Sequence, residues 1–251
     1  MKGISDFMID VPVLKYDDQV TKARQMLRDD IFREIYVHDG KKKLMGYIDI
    51  TDVLKVTATK SNVTVEGYLK DAPAVHLEDP IEKAIKSIKD SRTDSAAVVD
   101  LESHILGGVL LSDLFPVIIS RHELKGLVND YMSSKVITCA PEDPIQRIHN
   151  TIVESGFTAF PVIKKNKILG IISRSDLLRA AAVRKSLEQT GSTPVEHVMT
   201  KTVITATPEM QINTAAELMV KHDISRLPVV IDGRVVGIFD RHDVMKGLSL
   251  R

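Results

Sequence analysis

Four aspartates stand six positions after four glycines: Asp52 after Gly46, Asp113 after Gly107, Asp176 after Gly170 and Asp243 after Gly237. Apolar residues follow each glycine, and each aspartate opens a helix-like run, such as Leu177 to Val183 after Asp176. Four copies at one spacing read as a fourfold repeat. A carboxylate at a helix start can do two things. It can cap the helix by accepting a backbone N–H and complementing the dipole, worth about 1 kcal/mol. It can also accept two hydrogen bonds from a vicinal diol, as an acid does on a ribose in dinucleotide-binding folds. Serine, threonine or asparagine would cap as well, yet all four copies use Asp; the two roles are compatible. No catalytic set accompanies them: there is no P-loop, G-x-S-x-G or zinc signature. Cys139 has no base partner in the sequence. His242 lies beside Asp240 and Asp243 but lacks Cys/His ligand spacing, so it reads as a helix-surface histidine and no metal site is expected. Lys41 to Lys43, and Lys164, Lys165 and Lys167, flank turns and read as solvated. The residues favour binding over catalysis.

The elements that must place these aspartates recur too. Each repeat opens with a helical turn and an apolar anchor: Met8, Leu69, Met132, Met199. An extended piece follows: Val11 to Leu14, Pro73 to Val75, Val136 to Thr138, Val203 to Thr205. Glu78-Asp79-Pro80-Ile81 and Glu142-Asp143-Pro144-Ile145 predict helix starts with acids and a proline in the first turn; Tyr16 to Val20 and Pro208 to Ile212 are looser versions. Stripes at helical spacing run Ile145, Ile148, Ile152, Val153 and Ile212, Ala215, Ala216, Met219, Val220. Hairpins follow, Leu227–Ile231 with Val235–Phe239 around Asp232-Gly233, and Ala159–Ile163 with Ile168–Ile172 around Lys165-Asn166. The unit is therefore strand, helix, strand, strand, helix, with boundaries at 1–60, 61–122, 123–188 and 189–251. Anchor to first helical apolar residue is twelve positions in the first two repeats (Met8 to Val20, Leu69 to Ile81) and thirteen in the last two (Met132 to Ile145, Met199 to Ile212). The repeats thus fall into two pairs. Each small sheet has an uncovered apolar face, so each pair is expected to dock sheet to sheet. Thr57 to Asn62, Arg121 to Lys125 and Gln189 to Thr193 read as linkers.

Composition sets limits. At 251 residues, 43% apolar and 4% aromatic, with no Trp, the cores must be aliphatic. The 34 basic and 34 acidic side chains cancel, which argues against a general nucleic-acid binder. A single cysteine suits a reducing compartment, and neither a signal peptide nor a run of about 20 apolar residues is visible. A cytoplasmic protein without membrane contact is expected.

The Gly-to-Asp skeleton, the Leu227-Pro228-Val229-Val230 and Phe160-Pro161-Val162-Ile163 strands and the fourfold recurrence together resemble CBS domains. Members of that family pair into Bateman modules, and four tandem copies are similar to the gamma regulatory subunit of AMP-activated protein kinase and its stand-alone archaeal relatives. The resemblance implies an α/β (α+β) fold of four repeats in two modules, no catalysis, and a regulatory sensor for AMP, ADP or ATP, alone or with Mg. It implies a homodimer or a regulated partner protein. It also places the recurring Asp on ribose hydroxyls, in a cleft facing the first two strands of the partner repeat. In the primary cleft, Ser173 and Asp176 would hold ribose. Arg226, which with Ser225 stands at the family's basic pair, and Arg174 would meet phosphate. Ser175 lies in the same segment, and Ile172, Ile204 and Thr205 would line an adenine slot. The bland alternative for Arg226 is a surface side chain on the sheet edge. The other clefts depart from the pattern. Asp243, with Asp240 three before it, has Arg241 beside it and Thr138, Thr158 and Ala159 opposite; Asp52 has Asp49; Asp113 has Leu110. Their expected order of importance is Asp243, Asp52, Asp113. Paired carboxylates would suit a bare adenosine, a Mg-bound nucleotide or a cationic adenosyl group such as S-adenosylmethionine. A ligand-free scaffold is the remaining reading.

Overall fold

The computed structural model describes residues 3–28, 31–58, 61–180 and 193–248. The end of the run through Val183, most of Gln189 to Thr193 and the middle of Thr57 to Asn62 lie outside the described residues. The chain divides into two compact units, Met1–Leu114 and Phe115–Arg251.

In the first unit, repeat one runs β1 (Val13–Lys15), α1 (Val20–Met26), β2 (Glu34–His38), β3 (Leu44–Asp49), α2 (Ile50–Lys55). Repeat two runs β4 (Ala74–His76), α3 (Ile81–Ser91), β5 (Ser95–Val99), β6 (Ile105–Leu110), and ends in α4 (Leu111–Arg121), which carries the unit boundary. Each sheet has the order of the chain, the first strand parallel to the second and the third antiparallel. The second unit begins with the short α5 (Val128–Tyr131). Repeat three then has α6 (Ile145–Ser155), β7 (Ala159–Lys164), β8 (Lys167–Ser173) and α7 (Arg174–Arg179). Repeat four has α8 (Ile212–Lys221), β9 (Arg226–Ile231), β10 (Arg234–Asp240) and α9 (Arg241–Lys246). Both hairpin turns of the second unit take positive φ at their two central residues, Lys165 and Asn166, then Asp232 and Gly233. That matches the twist of the flanking strands.

The first strands expected at Val136–Thr138 and Val203–Thr205 do not form. Pairing shrinks to single parallel bridges, Cys139 with Val162 and Ala206 with Val229. The reason lies in the neighbouring strand. In repeat two, Ala97 N–H donates to the Pro73 carbonyl at 2.8 Å. Hairpin register places Pro161 and Pro228 where Ala97 stands, and proline has no N–H to give. Two further expectations shift. Pro80 and Pro144 sit one place before their helices, at the N-cap, and the aspartate ahead closes a turn: Asp79 accepts from His76 N–H at 2.7 Å, Asp143 from Ala140 N–H at 2.8 Å. His149 rather than Val153 completes the buried stripe of α6, and Val220 of α8 is exposed.

The skeleton glycines have a physical cause. The opening turns bury Ile4, Val65, Val128 and Val195 completely, while the anchor four residues on crosses to the other repeat of its pair. A Cβ at Gly170 would lie 2.7 Å from both Met199 Sδ and the Thr200 carbonyl oxygen; at Gly237, 2.5 Å from Met132 Sδ. Likewise, a Cβ at Gly107 would meet Met8 Cγ at 2.8 Å and one at Gly46 would meet the Lys70 carbonyl oxygen at 2.5 Å. Antiparallel bridges seal each crossing: Ile9 with Gly108, Lys70 with Tyr47, Ser133 with Ile238, Thr200 with Ile171. The repeats therefore pair first with second and third with fourth, by reciprocal exchange of their opening segments.

Candidate ligand clefts

Three of the four recurring aspartates sit in one local arrangement. Asp52, Asp176 and Asp243 are buried at the third position of α2, α7 and α9. In each case the residue three before is the N-cap, and the two exchange hydrogen bonds in a capping box. Ser173 N–H donates to Asp176 Oδ2 at 2.8 Å, Ser173 Oγ donates to the same oxygen at 2.7 Å, and Asp243 Oδ2 accepts Asp240 N–H at 3.0 Å. The other carboxylate oxygen takes a cation three residues on: Lys55 at 2.9 Å, Arg179 at 3.1 Å, Lys246 at 2.6 Å. This Asp-x-x-cation spacing is present in the sequence at Asp52, Asp176 and Asp243, whereas Pro116 stands three after Asp113. Asp113 is different. Leu110 cannot cap, Asp113 is exposed, and its bond from Ser112 Oγ is long, 3.4 Å.

In the second unit, Arg226 opens β9 opposite Asp240. Its Nη1 donates to Thr158 Oγ1 at 2.6 Å, and the Thr158 carbonyl accepts the Arg174 N–H at 2.9 Å. A guanidinium from repeat four therefore reaches the residue that meets the first turn of α7, the helix that carries Asp176. Ser175 and Ile172 are buried behind that turn, Ile204, Thr205 and Ser225 are half-buried, and Ala159 is buried at the start of β7. Thr158 thus joins Arg226 and Arg174 rather than standing only opposite Asp243. Thr138 is exposed. Arg241 is buried, with Nη2 3.6 Å from Asp223, and the Ser225 carbonyl accepts its N–H at 3.1 Å. Burial, with Asp240 beside it, pushes the Asp243 carboxyl above its ordinary value despite Lys246. Near Leu127, Met132, Pro208, Ile231 and Val236 an open hollow of about 420 Å³ lies apart from these residues.

The first unit carries the opposite charge at the equivalent place. Glu34, matched by register to Arg226, is buried and accepts Asp94 N–H at 3.0 Å and Ser95 Oγ at 2.8 Å. Tyr36 shares the Ser95 hydroxyl at 2.7 Å. Burial, then the Glu34 charge, holds its phenol well above the usual range. Tyr36, Tyr47, Ala97 and Val99 pack as one buried cluster between the two sheets of this unit. At Asp52 the sequence reading missed Lys70. Its ammonium lies 2.6 Å from Asp52 Oδ2, 3.2 Å from Asp49 Oδ2 and 5.6 Å from the Tyr47 ring centre. Burial pulls that ammonium down, but Asp49 and Asp52 together outweigh it and hold it above its ordinary value.

These features define a class: repeat proteins in which helix–strand–strand–helix units, led by a further strand in the first two, pair by exchanging their openings, with a capping carboxylate at the head of three of the four last helices. The chain belongs to the CBS domain family, whose profile matches residues 4–58, 128–183 and 195–250. The matched stretches leave out repeat two, the repeat whose Asp113 lacks the capping box. Protein MJ1225 of Methanocaldococcus jannaschii is 24% identical over 256 residues, covering 90% of this chain and 91% of its own. Its crystal structure superposes with a TM-score of 0.80 at 21% identity, over 98% of this chain and 99% of that one. A conserved protein of Pyrococcus horikoshii superposes at 0.65 and 24% identity, with the same coverage. These two likenesses establish the fold. The CBS domain-containing protein YhcV of Bacillus subtilis is 32% identical over 112 residues, 44% of this chain and 77% of its own. Among the described residues no helix is long and apolar enough to cross a membrane.

Proposed function

We propose that the second unit is a non-catalytic sensor for an adenine nucleotide, AMP, ADP or ATP. The observation that carries this reading is the reach of Arg226 to Thr158, one carbonyl away from the first turn of α7. A nucleotide needs an acceptor for its diol and a cation for its phosphate, and a phosphate laid against Asp176 itself would be repelled. Ser173 and Asp176 supply the first, Arg226 and Arg174 the second. Asp176 caps α7 at the same time; a carboxylate has two oxygens that each accept more than one hydrogen bond, so the two roles are compatible. Binding would order the cleft and favour one arrangement of the chain, which a second copy or a partner protein would read.

Calorimetry with AMP, ADP, ATP and adenosine tests this on the wild type, Asp176→Ala and Arg226→Ala. The Arg226 variant should weaken nucleotides by about 10- to 150-fold, the scale of hydrogen bonds to a charged group, and leave adenosine unchanged. Binding no tighter than millimolar, or a folded Asp176→Ala with wild-type affinity, would sink the assignment. A second reading is favoured at one place: the Asp240 and Asp243 pair, with its raised carboxyl, suits a cationic adenosyl ligand, and S-adenosylmethionine belongs in the same titrations.

A further inference from the structure

We propose that Lys70 plugs the Asp52 cleft, so that the first unit takes no nucleoside and sensing is confined to the second. The inference rests on the reading of the second unit just given, and adds what keeps the first one silent. At the equivalent position, one residue after the anchor, the other repeats carry Ile9, Ser133 and Thr200. Only repeat two puts a cation there. That cation bridges both carboxylates at the head of α2, Asp49 and Asp52. Asp52 Oδ2 also accepts Asp49 N–H at 3.1 Å, and Oδ1 is held by Lys55. The ammonium therefore occupies the place where a sugar diol would bind. Lys70 is also fixed from behind, because its backbone pairs with Tyr47 in both directions, at 2.9 and 3.0 Å. A neutral diol that displaced it would remove the one cation that bridges Asp49 and Asp52 and leave Lys55 to offset their repulsion from the Asp52 side alone. Repeat two carries Ser95 at the register where repeat four carries Arg226, so the Asp52 cleft has no guanidinium from its partner repeat for a phosphate.

The test transplants the second unit's residues: Asp49→Ser with Lys70→Thr, copying Ser173 and Thr200. Adenosine is the probe, since it carries no phosphate and so needs no cation at the place of Ser95. All variants are made in the full chain carrying Asp176→Ala, and thermal melts verify folding. With Lys70 intact, no Asp52-dependent binding is expected. The double replacement should add one adenosine site per chain, which Asp52→Asn removes. A folded double variant that gains no site overturns the plug; so does Asp52-dependent binding with Lys70 present. A readout without any substitution at the cleft is the acylation rate of Lys70 in the wild-type chain. Saturating adenosine should leave it unchanged, and a severalfold slowing overturns the proposal. If the unsubstituted chain binds nothing but the transplant gains an Asp52-dependent site, the second-unit reading fails and the plug stands.

Discussion

Gly170→Ala should be among the most damaging single-methyl additions in the chain. The new Cβ would sit 2.7 Å from Met199 Sδ and 2.7 Å from the Thr200 carbonyl oxygen, well inside contact distance. The thioether can swing away; the carbonyl cannot. It accepts the Ile171 N–H at 3.0 Å, and Thr200 N–H returns a bond to Ile171 at 2.9 Å. Relief therefore means stretching or losing two backbone hydrogen bonds, about 1 kcal/mol each, on top of overpacking that costs roughly 1–3 kcal/mol. The sum is about 3–5 kcal/mol, or a fall in Tm of roughly 9–15 °C at about 3 °C per kcal/mol. Gly67→Ala is the control, since a Cβ there meets nothing within 4 Å and its φ is not in the left-handed region; it should change stability by less than about 0.5 kcal/mol or add slightly to it. Met199→Ala on top of Gly170→Ala should recover only part of the loss, because the carbonyl clash remains. Scanning calorimetry reads all three. If Gly170→Ala melts with the control, or Met199→Ala restores it fully, the explanation of the skeleton glycines by reciprocal exchange is wrong.

Asp240→Ser keeps a side-chain oxygen for the Asp243 N–H and removes a like charge, so it should stabilise at pH 7 by about 0.5 kcal/mol, the scale of a like-charge pair one helical turn apart. Because the folded Asp243 carboxyl lies above its unfolded value, its charge opposes folding at neutral pH, and the gain over wild type should shrink as the pH falls through that raised value towards the unfolded one. A gap constant from pH 7 to pH 4 in denaturant titrations would show that repulsion is not the cause. Cys139 is buried, and burial pushes its thiol up to about 12; its thiolate fraction at pH 8 is then on the order of a thousandfold below that of an ordinary cysteine. Alkylation in native buffer should be slower by at least that factor than in denaturant, and rapid native labelling would contradict it.

What the sequence showed most clearly were features set by local rules. Asp232-Gly233 and Lys165-Asn166 turn their hairpins with both residues of each pair at positive φ, which Asp, Gly and Asn favour, and three of the recurring aspartates head helices because capping is decided within one turn. The pairing of repeats was also legible, through the twelve- and thirteen-residue spacings. What depended on a neighbour was not. The apolar runs at Val136 and Val203 look like strands, but Pro161 and Pro228, more than twenty residues away, decide that they are not. The anchors Met132 and Met199 were visible as apolar; that they cover a glycine of another repeat was not. Lys70 looks like any surface lysine until folding sets it between Asp49 and Asp52, and Glu34 gives no sign alone that it holds the place of Arg226.

Each opening segment closes its neighbour, and so a lone repeat is an unfinished object. Cut out singly, it would expose a groove beside its glycine and carry a dangling anchor with nothing beneath it. Growth or recombination of such chains must then proceed by twos. A copying event that added an odd number of repeats would create a sticky end searching for a mate, and the simplest mate would be the same end of another molecule.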